Sequence, residues 1–358
     1  MLELEKIFEA SRKVIEQCSL ENGAIVAANA NSIYYPSKAK NYFYVWPRDA
    51  SYACLAADIL GLRDFQENFF GWCLKRAEGF DTTGLLFEKY HTNGLKALCR
   101  FQPDQTATVL VAINHHYKMN SRWSPPRDLI EKAANGMCNK WDRDHFSIIV
   151  NDLWEERLAF PDLKENFTYS LAACIRGLEC ATEIIPTDRW TCAAEEMRCR
   201  LEAHSVDGCI VRSYGDYKFI DKSIDASMLG LVYPFEIYAA DNPAVTTTVQ
   251  EIEKRLIIGG GVHRYELDHY DGWVHEGMPR NKGAGGWPLL NFWMSIYYSI
   301  KGDKVKALEY YDWVLQNIKN KEGYIPEQIF GNPRQVSVSP LLWSHAMFII
   351  ASKFLGYI

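Results

Sequence analysis

Apolar residues recur with a period near 3.6 along most of the chain, and the stretches they define are of two alternating kinds. In the first kind, near residues 3–18, 63–78, 125–141, 187–204, 243–256 and 303–319, one face is apolar and the other charged. Trp190, Ala194, Met197 and Leu201 opposed to Glu195, Arg198 and Glu202 are an example, and such a stripe predicts a surface helix. The second kind, near 48–62, 104–118, 166–185, 222–232, 285–300 and 338–356, is apolar almost all round, as in Trp287-Pro288-Leu289-Leu290-Asn291-Phe292-Trp293-Met294. A helix apolar on every face is buried on every face. Strict alternation over six pairs predicts two concentric rings, an all-α (α/α)6 barrel of six inner and six outer helices. The alternative, an irregular α-solenoid, finds no repeat of fixed period in its support.

Local signals agree with several of these boundaries. Asn242-Pro243 places a capping side chain before a proline suited to the first helical position, and Gly302 marks the end of the tenth helix. Short β-like runs at 146–150 and 209–211 predict small hairpins. With no Ser- or Gly-rich linker, residues 1–358 read as one domain.

Composition narrows the function classes. The 358 residues are 48% hydrophobic and 23% charged, enough to bury a large core. A formal charge of -6 leaves no basic stripe for phosphate, so nucleic acid is not an expected partner. The first residues, MLELEKIFEASRKVIEQ, lack a signal-peptide apolar region, and no run reaches membrane-spanning length, so a cytoplasmic protein with no membrane partner is expected. Ten cysteines without a C-x-x-C pair predict buried reduced thiols. His263, Asp268 and His269 lack a metal-site spacing, and Gly259-Gly260-Gly261 lacks the Lys-Ser/Thr of a phosphate loop, so neither a metal nor another cofactor is expected. The D-D-x-x-D type of motif of isoprenoid cyclases is also missing.

The polar and aromatic clusters fall in loops that lead into inner helices, where a barrel brings them to one mouth. They are Asn41-Tyr42-Phe43-Tyr44-Val45-Trp46-Pro47-Arg48-Asp49, Arg100-Phe101-Gln102-Pro103-Asp104, Trp154-Glu155-Glu156, Gly261-Val262-His263-Arg264-Tyr265 with Tyr270-Asp271-Gly272-Trp273, and Pro326-Glu327-Gln328. Arg48 and Asp49 offer a donor fork and an acceptor to neighbouring sugar hydroxyls, or form only a helix-start ion pair. Trp46, Trp154, Trp273 and Trp287 offer flat apolar faces, or are core. Glu155 and Glu156 alone would read as solvated first-turn acids. The adjacent Trp154 and the absence of a balancing basic run favour an acid in a semi-apolar pocket with a raised pKa.

Together these clusters resemble glycoside hydrolase family 15, the glucoamylase family, over nearly the whole chain. The resemblance is carried by 42–49, Gln102-x-Asp104, Asp152-Leu153-Trp154-Glu155-Glu156 with Phe167-Thr168, Gly261 to Tyr265, Trp287, Pro326-Glu327-Gln328 and Trp343-Ser344. It implies an (α/α)6 barrel that releases β-glucose from a non-reducing end with inversion. By the resemblance Glu155 is the general acid and Glu327 the general base, Arg48 and Asp49 grip the terminal glucose, and Tyr42 and Trp46 surround it. Glu156 and Arg264 are implied as contacts nearer the scissile bond, the Leu153 carbonyl as an acceptor for a sugar hydroxyl, and Trp154 and Trp287 as further binding residues. Inversion implies carboxyl groups roughly 6.5 to 9.5 Å apart.

Departures from the family bear on the substrate. No N-terminal β-sandwich and no starch-binding module are expected in addition to the barrel, and Leu98 stands where fungal members carry a tryptophan. Short soluble α-1,4 or α-1,6 gluco-oligosaccharides are therefore the expected partners. A trehalase of the same family, a non-catalytic glucan-binding or regulatory protein, and a purely structural helical scaffold are the competing readings.

Overall fold

The structure is a computed structural model that describes residues 4–216, 219–272, 283–332 and 335–358. Its helices are α1 (Leu4–Cys18), α2 (Pro47–Ile59), α3 (Arg63–Lys75), α4 (Phe80–Thr83), α5 (Pro103–Met119) and α6 (Arg127–Lys140). There follow α7 (Thr168–Ile184), α8 (Asp188–Glu202), α9 (Pro243–Leu256), α10 (Pro288–Ile300), α11 (Lys304–Asn317) and α12 (Leu342–Leu355). A 3-10 run, Ala226–Leu231, lies between α8 and α9. None of the described helices is long and apolar enough to cross a membrane.

Neighbour packing closes a ring: α2 against α5, α5 against α7, α7 against the 226–231 run, that run against α10, α10 against α12, and α12 against α2. Around it, α1 packs on α12, α3 on α2, α6 on α5, α8 on α7, α9 on the 226–231 run and α11 on α10. This is the (α/α)6 barrel of the hydrophobic pattern. Every residue of α10 from Pro288 to Tyr298 is buried, whereas α8 buries only Trp190, Ala193, Ala194, Met197 and Leu201. One contiguous apolar cluster runs from Ile7 to Leu355.

Four expectations need correction. The eighth helix, expected over 222–232, is the shorter 3-10 run: Asp225 caps it by accepting from the Ser227 backbone N–H at 2.8 Å. Pro234 then disfavours helical backbone in the residue before it. The twelfth helix starts at Leu342 rather than 338, because Pro340 cannot supply a helical N–H. The 146–150 run is divided: His145–Phe146 pairs with Trp141–Asp142, and Val150–Asn151 pairs with Leu158–Ala159. Of the ten cysteines, Cys99, Cys192 and Cys199 are exposed and Cys209 is intermediate, since their positions face outward on loops and outer helices. The expected hairpin at 209–211 is present as Cys209–Ile210 paired with Ser205–Val206.

The inner ring depends on close helix approach. A Cβ on Gly177 of α7 would lie 2.9 Å from the Ala107 carbonyl oxygen and 3.0 Å from its Cα on α5. Gly177→Val is expected to destabilise by about 1–3 kcal/mol through overpacking, read as a lowered Tm. An unchanged Tm would mean that α5 and α7 can separate without cost.

Candidate active site

Three inner helices begin with the same device. Trp46-Pro47, Gln102-Pro103 and Trp287-Pro288 each place an extended residue before a proline at the first helical position. The proline stops the preceding residue from joining the helix, so Trp46, Gln102 and Trp287 stand at the ring's end. There they meet the loops that enter α7 and α12.

A cavity of about 220 Å³ at this end is lined by Tyr42, Trp46, Arg48, Asp49, Leu153, Trp154, Glu155, Glu156, Arg264, Trp287 and Glu327. Every site residue expected from the sequence is thus gathered around one space, from loops separated by up to 285 positions. Trp273 lies outside the described residues.

Glu155 and Glu156 are not first-turn helix acids. They form the tip of the hairpin between Val150–Asn151 and Leu158–Ala159, well before α7. Asp152 holds that tip: its Oδ1 accepts the backbone N–H groups of Glu156 at 2.8 Å and Arg157 at 3.0 Å. Its Oδ2 takes Arg212 Nη2 at 2.6 Å. Arg212 also pairs with Asp225 at 3.1 Å, and Asp225 accepts from Trp154 Nε1. This buried network fixes the hairpin to the start of the 226–231 run. Glu155 itself sits at φ 64°, a left-handed conformation uncommon outside glycine and often found where a side chain must be presented to a site.

The cavity wall at α2 is a second network. Arg48 donates through Nη1 to Asp104 at 3.1 Å and to the Leu153 carbonyl at 3.3 Å, and through Nη2 to Asp49 at 3.3 Å. Its Nη2 also lies 3.9 Å from Glu155 Oε1. Because desolvation offsets much of the gain from buried ion pairs, such a network serves placement more than net stability. The Leu153 carbonyl already accepts from Arg48, and its second lone pair is the one left for a ligand.

Across the cavity Arg264 donates to both oxygens of Asp268, at 2.7 and 2.8 Å, and to Glu156 at 2.7 Å. Asp268, considered in the sequence with His263 and His269, is thereby committed to a guanidinium. The Arg264 guanidinium stands about 5 Å from the rings of Trp154, Tyr270 and Trp287. Glu156 also accepts from the Tyr265 hydroxyl. The fork therefore fixes Glu156 and the aromatic wall together.

The two separated glutamates have opposed surroundings. Glu155 Oε1 accepts from Trp46 Nε1 at 2.6 Å. Burial, and next the charge of Glu88, push its pKa up to about 8, against Arg48 and Lys89. Glu327 Oε1 accepts from the Tyr42 hydroxyl at 2.9 Å and Oε2 from Ser337 at 3.4 Å. Burial raises its pKa too, but Tyr42, Arg264, Lys40 and Ser337 all oppose the rise. Tyr42 and Trp46, whose ring centroids are 5.2 Å apart, bridge the two acids.

Lys40 and Glu88 were not singled out from the sequence, and Trp343 was named there only as part of the resemblance. Lys40 and Trp343 line the cavity, and Glu88 lies beneath Glu155, wholly buried, with Oε2 accepting from Asn151 Nδ2 at 2.9 Å. Lys40 had a signal in its place just before the aromatic run, and Trp343 in its place at an inner-helix start. Glu88 sits at a bend just before the two-residue strand Lys89–Tyr90, with no pattern around it. Among the described residues, Arg48 Nε, Trp287 Nε1 and Trp343 Nε1 are buried donors without a protein acceptor. Aromatic faces, buried donors and carboxylates together suit a small polyhydroxylated ring.

The family model described as "Glycosyl hydrolases family 15" matches residues 75–353. An uncharacterized glycosyl hydrolase of Methanocaldococcus jannaschii is 31% identical over 93% of this chain, which spans only 53% of that protein's length. Isomaltose glucohydrolase of Kribbella flavida is 24% identical over 99% of this chain and 93% of its own. A solved structure named "Glycosidase Wild Type" superposes with a TM-score of 0.78 at 24% identity, covering 99% of this chain and 98% of the other. The family match over residues 75–353, which include the loops that carry the two glutamates, settles the assignment: the chain belongs to glycosyl hydrolases family 15.

Proposed function

We propose that this glycoside hydrolase removes single glucose residues, with inversion, from the non-reducing ends of short α-1,4 or α-1,6 linked gluco-oligosaccharides. Glu155 is the general acid and Glu327 the general base. The observation that carries the reading is the opposed setting of two carboxyls on one cavity, the half-buried Glu155 pushed up to about 8 beside a second acid, the buried Glu327 facing Lys40, Arg264 and two hydroxyl donors. An acid and a base working at the same pH need their pKa values pushed apart.

In this reading Glu327 takes a proton from a water as that water's oxygen attacks the anomeric carbon. The carbon–oxygen bond to the leaving group breaks, and the leaving oxygen takes the proton from Glu155. Arg48 and Asp49 hold the glucose hydroxyls farthest from the mouth, Tyr42, Trp46, Trp154 and Trp287 enclose the ring, and Glu156 and Arg264 border the scissile bond. A cavity of about 220 Å³ falls below the roughly 300–1,000 Å³ of sites for drug-sized ligands, which supports one enclosed ring and an exo mode of action. The similarity to isomaltose glucohydrolase supports including α-1,6 linkages. The reading treats residues 1–358 as one catalytic unit acting in the cytoplasm.

The test is to incubate the protein with maltose, isomaltose, maltotriose and trehalose and to follow the first-released anomer by proton NMR. β-Glucose from maltose or isomaltose is expected. Early α-glucose would sink the inverting assignment, trehalose as the sole substrate would establish the trehalase reading, and no turnover at all would favour the binding-protein reading.

A further inference from the structure

Beside the catalytic cavity runs an open groove of about 870 Å³, and Lys40 and Tyr42 line both spaces. Its charged and titratable lining is Lys38, Lys40, Lys89 and His91, with no carboxylate among the described residues. That is a marked local bias in a chain whose formal charge is -6.

The lysines are held in place. Lys89 Nζ lies 4.9 Å from the Trp46 ring centroid and 5.5 Å from that of Tyr44, while Lys40 Nζ lies 4.1 Å from that of Tyr270. Among the described residues neither has a carboxylate within 4.0 Å, although ion pairs are frequent elsewhere on the molecule. Trp46 donates to Glu155, so Lys89 stands on the general acid's side of the mouth and Lys40 toward Glu327.

Lys40 has a use in the chemistry already described, since a cation near Glu327 favours its ionised form. Lys89 does not: a cation beside Glu155 favours ionisation of a group that must keep its proton. The Trp46 and Tyr44 rings hold it there, and its charge, with no carboxylate partner within 4.0 Å among the described residues, is left for a ligand. The general acid faces the leaving oxygen, and Lys89, which lines the groove, acts on Glu155 through space, so the groove opens on the leaving-group side of the cavity.

We propose that this groove is the leaving-group subsite and that it selects α-glucosides whose leaving group carries an anion, a phosphate monoester or a carboxylate. The inference rests on the assignment of Glu155 as the general acid and adds a substrate class to it. The enclosed cavity takes the neutral glucose, and the groove takes the charged remainder between Lys89 and Lys40.

The experiment compares kcat/KM of the whole protein for maltose, for maltobionate, and for maltose phosphorylated at C6 of its reducing glucose. At least one anionic substrate is expected to exceed maltose by about 5- to 20-fold at low ionic strength, as for one or two partly desolvated ion pairs. The two anionic arms separate phosphate from carboxylate recognition. The ratio should shrink as ionic strength rises from about 0.01 M to 0.15 M, where the screening length falls from about 30 Å to 8 Å. It should also fall toward one in Lys89→Gln, a readout from which any general loss of activity cancels. Maltose turnover equal to or faster than both anionic substrates overturns the groove's role and leaves the hydrolase reading standing. No turnover of any of the three removes both.

Discussion

Glu155→Gln is expected to lower kcat on maltose and isomaltose by about 10²–10⁴-fold, the usual contribution of a positioned general acid, without unfolding the protein. The amide keeps the acceptor that Trp46 Nε1 uses at 2.6 Å, so the hairpin should stay in place. The loss should depend on the leaving group. Fluoride needs no proton to depart, so α-glucosyl fluoride should remain a good substrate for Glu155→Gln and become a poor one for Glu327→Gln, which cannot activate water. Equal losses on oligosaccharide and fluoride in both variants would show that the roles are not divided in this way.

The same variant carries a signed expectation for stability. The Glu155 pKa is about 8 in the folded protein against an ordinary value near 4.5, so across that window the folded state binds more proton than the unfolded one. Stability from this group therefore falls as pH rises from about 4.5 to 8. Glu155→Gln removes that penalty. Its Tm should match the parent's near pH 4.5 and exceed it near pH 8, by an amount on the order of 2 kcal/mol in stability once partial exposure is discounted. A variant that gains stability while losing activity would mark Glu155 as a residue kept in place at a cost to the fold.

Glu88→Gln is expected to narrow the pH range of activity from its alkaline side. Glu88 is wholly buried, its Oε2 engaged by Asn151 and its Oε1 without a donor among the described residues. Within hydrogen-bonding reach of Glu155, it favours the protonated form of that acid, which can donate to it. Glutamine keeps the shape but removes the charge and adds an N–H that would stabilise ionised Glu155. Both changes lower the Glu155 pKa, so the alkaline limb of kcat/KM should move down by roughly one to two pH units. Activity near pH 8 would fall about tenfold, while activity near pH 5.5 would be nearly unchanged and the acid limb, set by Glu327, would stay put. A uniform loss at every pH would assign Glu88 a purely structural part.

Much of the fold was legible because its signals are local. A helix buried on all sides must be apolar on all sides, so the difference between α10 and α8 is written in their residues. The helix starts at Pro47, Pro103 and Pro288 follow from what proline does to its own and the preceding backbone. Where the expectation failed, at 222–232, the apolar pattern was right about burial but blind to Asp225 and Pro234, which leave room for a 3-10 run only. The site residues were legible for a related reason. Motifs at the entrances of inner helices must meet once the ring closes, whatever the loops between them do.

What the chain alone determined, then, is the ring, its mouth and the side chains that gather there, since periodicity and helix-start chemistry act within a few residues. Only the tertiary structure decided how each acid behaves. Glu155 and Glu327 are the same residue type, and their difference comes from Glu88, Lys89 and Arg48 around one and Tyr42, Lys40 and Arg264 around the other. Desolvation and charge act through space over a few ångströms, so a pKa is a property of neighbours that the order of residues does not reveal.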